Sequence, residues 1–283
     1  NPNLMFLGTD DGLYISLNAG EKWDKFDSEV FPTVSVKDLV IQSREQDLII
    51  GTFGRAAWVL DDIRPLRALA SKPDLVSKTI HLFEPPTAYL AAYQQPTGSR
   101  FGADAMYHGT NRKYGAMITY YVDPSSEENL GQENNKLEEE KEEDSENSVK
   151  KDSLILTIYD GERLIRTLKK ELPEKKGFYR WYWYLDEKGI PRPRREPRKS
   201  KTEPSGVSVK PGSYRIVLAY GKDKNEQQIV VKSDPRILDN PENIESVYNA
   251  SKKLESFMAK ASESVKQLIQ CKKILLDYQK LFK

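Results

Sequence analysis

Two Gly-Thr openings frame the first part of this chain. Gly8 to Trp23 (GTDDGLYISLNAGEKW) and Gly51 to Asp62 (GTFGRAAWVLDD) each turn and then enter an apolar strand that carries an aromatic residue. Leu13, Tyr14 and Ile15 form that strand in the first, and Trp58, Val59 and Leu60 in the second. Between them, Ser16-Leu17-Asn18-Ala19-Gly20-Glu21-Lys22-Trp23 fits the pattern S-x-D/N-x-G-x-x-W in its Asn form. Such a turn needs these residue types for physical reasons. Asn18 can hydrogen-bond turn amides and tolerates left-handed geometry. Gly20 supplies a positive φ that a bulky residue would resist. Trp23 buries a large ring between neighbouring sheets.

That pattern is the Asp-box. The segment resembles the last blades of Asp-box (BNR-repeat) β-propellers, the architecture of sialidases, sortilin-like ectodomains and the photosystem II stability factor. It is most similar to large bacterial proteins labelled BNR-repeat or sortilin-like glycosyl hydrolases. Pro32 to Leu66 (PTVSVKDLVIQSREQDLIIGTFGRAAWVLDDIRPL) reads like their final blade. In these families the Asp-box is a structural turn, so the resemblance implies that Ser16, Asn18, Gly20 and Trp23 hold a blade together and bind no ligand. It also implies that the chain is the C-terminal part of a longer polypeptide, since propellers close with about 4–8 blades. One to two blades' worth of strands are legible here, so upstream blades would be its first partner.

Composition removes several function classes. The net charge is +1, which gives no global electrostatic case for nucleic acid or an anionic membrane. No apolar run is long enough to span a bilayer. The single Cys271 excludes an internal disulfide framework and a cysteine-based zinc site, and two histidines, His81 and His108, argue against a histidine-rich metal site. No metal site and no cofactor is implied. With 31 % charged residues and a mean hydropathy of −0.67, long solvated segments are expected.

Taken in order, residues 1–71 read as terminal propeller blade(s) ending in a short helix. The strands are expected at Leu4–Leu7, Leu13–Leu17, Trp23–Phe26, Val34–Gln42, Asp47–Thr52 and Ala56–Leu60. Asp61, Asp62 and Arg64 invite a catalytic reading, because paired carboxylates and arginines serve glycosidases. The simpler reading is that Asp61 or Asp62 caps the helix starting at Ile63-Arg64-Pro65-Leu66. Residues 72–113 form a connector. His81 sits there among apolar neighbours as a packed histidine, and His108 lies in a polar loop.

Residues 114–236 read as an antiparallel β-sandwich. Strands are expected at Gly115–Val122, Ser153–Tyr159, Arg163–Leu168, Gly177–Leu185, Ser213–Tyr220 and Gln228–Lys232, with Asp160-Gly161 as a hairpin turn. YGAMITYYV, the hairpin around DGERLIRTL, GFYRWYWYL, KPGSYRIVLAYG and SDPR resemble the immunoglobulin-like module of the same bacterial family. Tyr179 and Tyr184 depart from that family's Asn and Asp on the aromatic strand. Trp181 and Trp183 could stack on a glycan; the plainer reading places them in the sandwich core. Two charged runs interrupt the module. Within an insertion at 124–152, ten acidic residues between Glu127 and Glu146 predict disorder, and seven basic residues between Lys188 and Lys201 predict an extended solvated loop. Residues 237–283 then read as a helical tail with Asn240-Pro241 at its start. Ile244, Val247, Leu254, Met258, Ala261, Val265, Leu268, Leu275 and Phe282 form an apolar stripe that must cover the sandwich, a further helix or a partner chain.

The expected fold class is therefore mainly β: propeller blade(s), an immunoglobulin-like sandwich and an α-helical tail. Nothing in these residues assembles a catalytic centre. A sialidase-like site needs an arginine cluster, a Tyr nucleophile with its carboxylate and a second acid drawn from several blades. The expected function is the non-catalytic closing part of a propeller that supports glycan or protein binding. One alternative makes the intact protein a glycoside hydrolase, with Arg55, Asp61 and Asp62 as rim candidates. The other makes it a sortilin-like binder of polypeptide. The resemblance implies a secreted or periplasmic location.

Overall fold

A computed structural model of the chain describes residues 1–91, 112–127, 153–196, 202–238 and 240–281. It is mainly β, with a curled half-barrel sheet and a C-terminal helix. Six strands come first: β1 (Met5–Thr9), β2 (Gly12–Ser16), β3 (Asp24–Lys25), β4 (Val36–Gln42), β5 (Asp47–Thr52) and β6 (Ala57–Leu60). They form two antiparallel three-stranded sheets in chain order. Period-two alternation drives their packing. Leu48 and Ile50 of β5 point inward and join Leu13, Phe31, Val36 and Ile63 in one buried core. Trp58 meets Phe31 edge-on at 5.3 Å. The residues between them in sequence point outward. Val40, Ile49 and Val59 lie opposite one another across β4, β5 and β6 and are 51 %, 37 % and 56 % exposed.

The helix α1 (Arg64–Ser71) follows, with Ile63 at its cap position and no side-chain cap there. Asp62 precedes that position and adopts φ +55°, which turns its carboxylate back toward the helix. Its Oδ1 accepts the Arg64 N–H at 3.3 Å and the Arg64 guanidinium at 2.6 Å. Asp62 thus supports the helix start from one residue further out than a cap would. Leu69 of α1 and Leu75 pack with Phe83 and Tyr121 in a small cluster that joins the first segment to the second.

The remaining strands are β7 (Ile80–Leu82), β8 (Ala88–Leu90), β9 (Ala116–Val122), β10 (Ser153–Asp160), β11 (Arg163–Glu171), β12 (Gly177–Trp183), β13 (Asp186–Lys188), β14 (Ser205–Ser208), β15 (Gly212–Tyr220) and β16 (Asp223–Ser233). A five-stranded sheet runs β11-β10-β15-β16-β8, and a three-stranded sheet runs β12-β9-β7. One core lies between them. Leu154, Leu156 and Ile158 meet Ile118, Tyr120, Val122 and Trp183 there. All of β9 is buried, because α1's cluster covers its second face through Tyr121. At one edge the sheets are stitched by side chains: Asn225 Oδ1 accepts the Leu82 N–H at 3.1 Å, and Gln227 Nε2 donates to the Leu82 carbonyl at 3.2 Å. The short strands β8, β13 and β14 have no counterpart in the sequence reading, which put 88–90 in the connector and named no strand at 186–188 or 205–208.

The helix α2 (Pro241–Leu281) is 41 residues, about 60 Å long. Asn240 Oδ1 caps it, accepting the N–H groups of Glu242 and Asn243 at 3.0 and 3.3 Å. Among the described residues no helix is long and apolar enough to cross a membrane. Most of the acidic run, and the end of the basic run, lie outside the described residues, as does His108.

Trp183 is the largest fully buried side chain, and its indole N–H donates to the Asp186 carbonyl at 2.9 Å. Trp183→Ala should remove about 3–5 kcal/mol of unfolding free energy, read as a lower denaturation midpoint in urea.

Candidate functional site

The sequence-selected residues fall in separate places. Within the turn at residues 16–23, the Ser16 hydroxyl donates to Asn18 Oδ1 at 3.0 Å and accepts the Gly20 N–H at 2.9 Å. Asn18 Oδ1 also accepts the Lys22 N–H at 2.9 Å. Gly20 has φ +90°, and a side chain there would reach the Trp23 ring. These contacts all lie within the turn. Arg55 is exposed, and its carbonyl accepts the Trp58 indole N–H at 3.0 Å. Asp61 faces β12, where the Arg180 guanidinium donates to its carbonyl. Asp62 is buried, and its desolvation raises the carboxyl while the Arg64 contacts oppose that shift. Trp181 is half-buried against the core. Trp183 is fully enclosed and offers no ring face to a sugar, which removes it as a stacking platform. His81 packs edge-on to Phe83 at 4.7 Å, and desolvation, then Lys78, lowers its imidazole.

A cluster that the sequence reading missed is denser. It forms where β11, β13 and α2 meet. Leu185 turns the chain with φ +56° at the end of β12, and this delivers Asp186 and Glu187 toward α2. Behind them β13 and β14 approach closely at Gly189 and Gly206. A Cβ on Gly206 would stand 2.7 Å from both the Glu187 carbonyl and the Gly189 nitrogen. The Glu187 side chain is only 5 % exposed. Arg163 binds it with two nitrogens, at 3.2 and 2.9 Å. From α2, the Tyr248 hydroxyl donates at 2.6 Å and Lys252 Nζ at 3.1 Å. Arg166, also buried, donates to the Glu187 carbonyl at 3.2 Å and the Glu203 carbonyl at 3.2 Å. Tyr248 and Lys252 share a helix face because they are four residues apart.

Burial alone would raise the Glu187 carboxyl, but hydrogen bonds from Arg163, Tyr248 and Lys252 outweigh it and hold it at about 2. The group is ionised and saturated with donors at neutral pH, so it clamps α2 and cannot serve as a general acid or base. Along the same helix runs a groove with two lobes of about 640 and 480 Å³ that share Ile190, Arg192 and Ser205. Its walls are largely apolar, with Val207, Ile244, Leu254 and Met258 in the first lobe and Val265 and Ile269 in the second. Arg192 and Arg194 line it with positive charge. Such a groove suits an apolar segment. Among the described residues no group of three or more His, Cys, Asp or Glu is placed to hold a metal. The signal for this site was present in the sequence as an Asp-Glu pair ending an aromatic strand and a Tyr-Lys pair at helical spacing.

Compared with known proteins, the chain matches no protein-family model, and neither a curated protein nor a solved structure is significantly similar to it.

The Glu187 clamp has a defined pH signature. A carboxyl whose folded value is depressed adds stability that is fully present above its unfolded value, here near 4.5, and lost as pH falls toward 2. The protection of α2 amides, taken relative to their intrinsic exchange rates at each pH, should therefore fall between about pH 4.5 and 2. In Glu187→Gln the helix should exchange faster at neutral pH, and this acid step should shrink.

Proposed function

We propose that this chain is a non-catalytic scaffold: the closing blade or blades of a β-propeller, with an immunoglobulin-like β-sandwich and helical tail beside them, supporting a glycan or polypeptide ligand held by the assembled propeller. The observation that carries this reading is the apolar row Val40, Ile49 and Val59 across the outer face of β4, β5 and β6. A sheet with one buried face normally turns polar residues outward. Here the central cross-strand positions are β-branched and apolar, the composition of a face that another sheet covers. Stacked sheets are what neighbouring propeller blades supply. The Asp-box turn and two chain-ordered meanders on one core agree with that architecture.

The rim candidates support the non-catalytic half of the reading. Arg180 donates to the Asp61 carbonyl and lies 4.0 Å from its carboxylate, and Asp62 is turned inward onto Arg64. The Asp61 carboxylate thus has a cation and not a second free acid as its neighbour, and the Asp62 carboxylate is withdrawn from solvent. The extracytoplasmic setting of the scaffold follows from the family resemblance alone.

The test uses the isolated chain and the polypeptide as its source makes it. The isolated chain should bind an apolar dye such as ANS, and the pair Val40→Glu and Val59→Glu should reduce that signal at least about twofold with unfolding free energy little changed. The native polypeptide should have a mass well above 32.5 kDa. A native mass no larger than this, or dye binding unaffected by the pair, would overturn the reading.

A further inference from the structure

The tail helix has one mixed polar and apolar side laid against the body and a second, apolar side that is exposed. Ile244, Tyr248, Ser251, Glu255, Met258, Ser262, Val265 and Ile269 are at least partly covered, and they trace the side of α2 laid against the body of the protein. Several residues of the single stripe expected from sequence lie elsewhere. Val247, Leu254, Ala261, Leu268 and Leu275 recur at intervals of seven, and Ala250, Phe257, Ser264, Cys271 and Tyr278 follow each by three. These are the a and d positions of five consecutive heptads. All ten are exposed, and none carries a charge on a helix otherwise rich in Lys and Glu. Val247, Leu254, Leu268 and Leu275 are 60–69 % exposed, and Phe257 and Tyr278 are 53 % and 59 % exposed.

We propose that α2 is a dimerisation helix: two copies of this chain associate through the a/d seam as a parallel, left-handed two-stranded coiled coil. A strict seven-residue repeat drifts around a straight helix by about 20° per heptad, and left-handed supercoiling removes the drift. The area is sufficient. Six large seam side chains losing roughly 100 Å² each give about 1,200 Å² over two copies, the lower bound for a specific interface.

The flanking residues and the body choose the orientation. In a parallel pair, each residue just before an a position faces the residue just after a d position on the other copy. Lys253 then meets the second copy's Met258, Lys260 its Val265 and Gln267 its Lys272, so no like charges are opposed. The body covers the e side of the seam, at Ser251, Met258 and Val265. An antiparallel pair would bring both bodies to the same side of the two helices, whereas a parallel pair places them on opposite sides. The seam is also continuous with the groove beside α2, since Val247 and Leu254 line its first lobe. Beyond Ile269 every described side chain up to Lys280 is exposed, which leaves the final turns free on all sides for a second helix.

The interface has a built-in reporter. Cys271 occupies a d position and is exposed in the single chain, so a parallel, in-register dimer sets it beside its own copy. Light-scattering mass of the 283-residue chain, at about 0.15 M salt to screen exposed charge, should be twice 32.5 kDa at micromolar concentration. Mild oxidation should convert the dimer to a covalent species that Cys271→Ser abolishes. Leu254→Glu with Leu268→Glu should yield monomer with an unchanged circular dichroism spectrum and no cross-link, whereas the Val40→Glu and Val59→Glu pair should leave the dimer intact. A monomeric wild-type chain would overturn the proposal and assign the seam to another helix. A dimer that survives the two seam glutamates, or that never cross-links through Cys271, would overturn it equally.

Discussion

Four donor atoms on three side chains, from two elements, converge on one buried carboxylate, and the position of the tail helix depends on that meeting. Arg163 reaches Glu187 from β11, and Tyr248 and Lys252 reach it from α2. An ionised carboxylate taken from water is costly unless its lone pairs are filled. Here they are filled only when α2 lies along β14. The helix is not held by an extensive apolar face: Tyr248, Ser251, Lys252, Glu255 and Ser262 make up much of the side turned inward. Lys210 adds a surface tie, reaching Glu245 at 2.9 Å and lying 4.9 Å above the Tyr248 ring. Directional polar contacts thus set the register of a helix whose apolar residues mostly point elsewhere.

That division explains what could be read from sequence and what could not. Strands with clean alternation, such as Leu154, Leu156 and Ile158 in β10, were legible because local period and burial coincide. The hairpin at Asp160-Gly161 and the Asn240 cap were legible for the same local reason. The short strands β13 and β14 were not, since their pairing depends on the close approach of Gly189 and Gly206 across a charged, Pro-rich stretch. The Glu187 cluster was hidden further, because its members are far apart in the chain and meet only through the fold. The tail was read as amphipathic, but pooling its apolar residues into one stripe merged two faces that burial separates. Residues with a seven-residue period were mixed with Ile244, Met258 and Val265, which contact the body.

The aromatic strand β12 illustrates the same limit from another side. Its pattern announced a face for each ring, but not which face would be enclosed. Trp183 ends fully buried, edge-on to Tyr214 at 5.5 Å, whereas Phe178 remains 47 % exposed beside Tyr121. What decides is the second layer. The five-stranded sheet covers the Trp183 side, and only the small α1 cluster lies behind β9. Burial here is a property of the neighbour and not of the strand.

The clamp is also asymmetric in its fallback partners, which bears on how it could release. Deleting the carboxylate at Glu187 leaves each cation another acid: Asp160 for Arg163 at 3.0 Å and Glu255 for Lys252 at 2.5 Å. Deleting Arg163 instead leaves the carboxylate with Tyr248 and Lys252, both from the helix. Breaking a buried ion pair costs roughly 3–5 kcal/mol when the surviving charge is stranded, and less when it is re-paired. Loss of the acid therefore frees the helix with both cations still neutralised. Loss of the arginine makes the buried carboxylate rely more heavily on the helix. The acid, not the arginine, is the point at which α2 detaches at least cost.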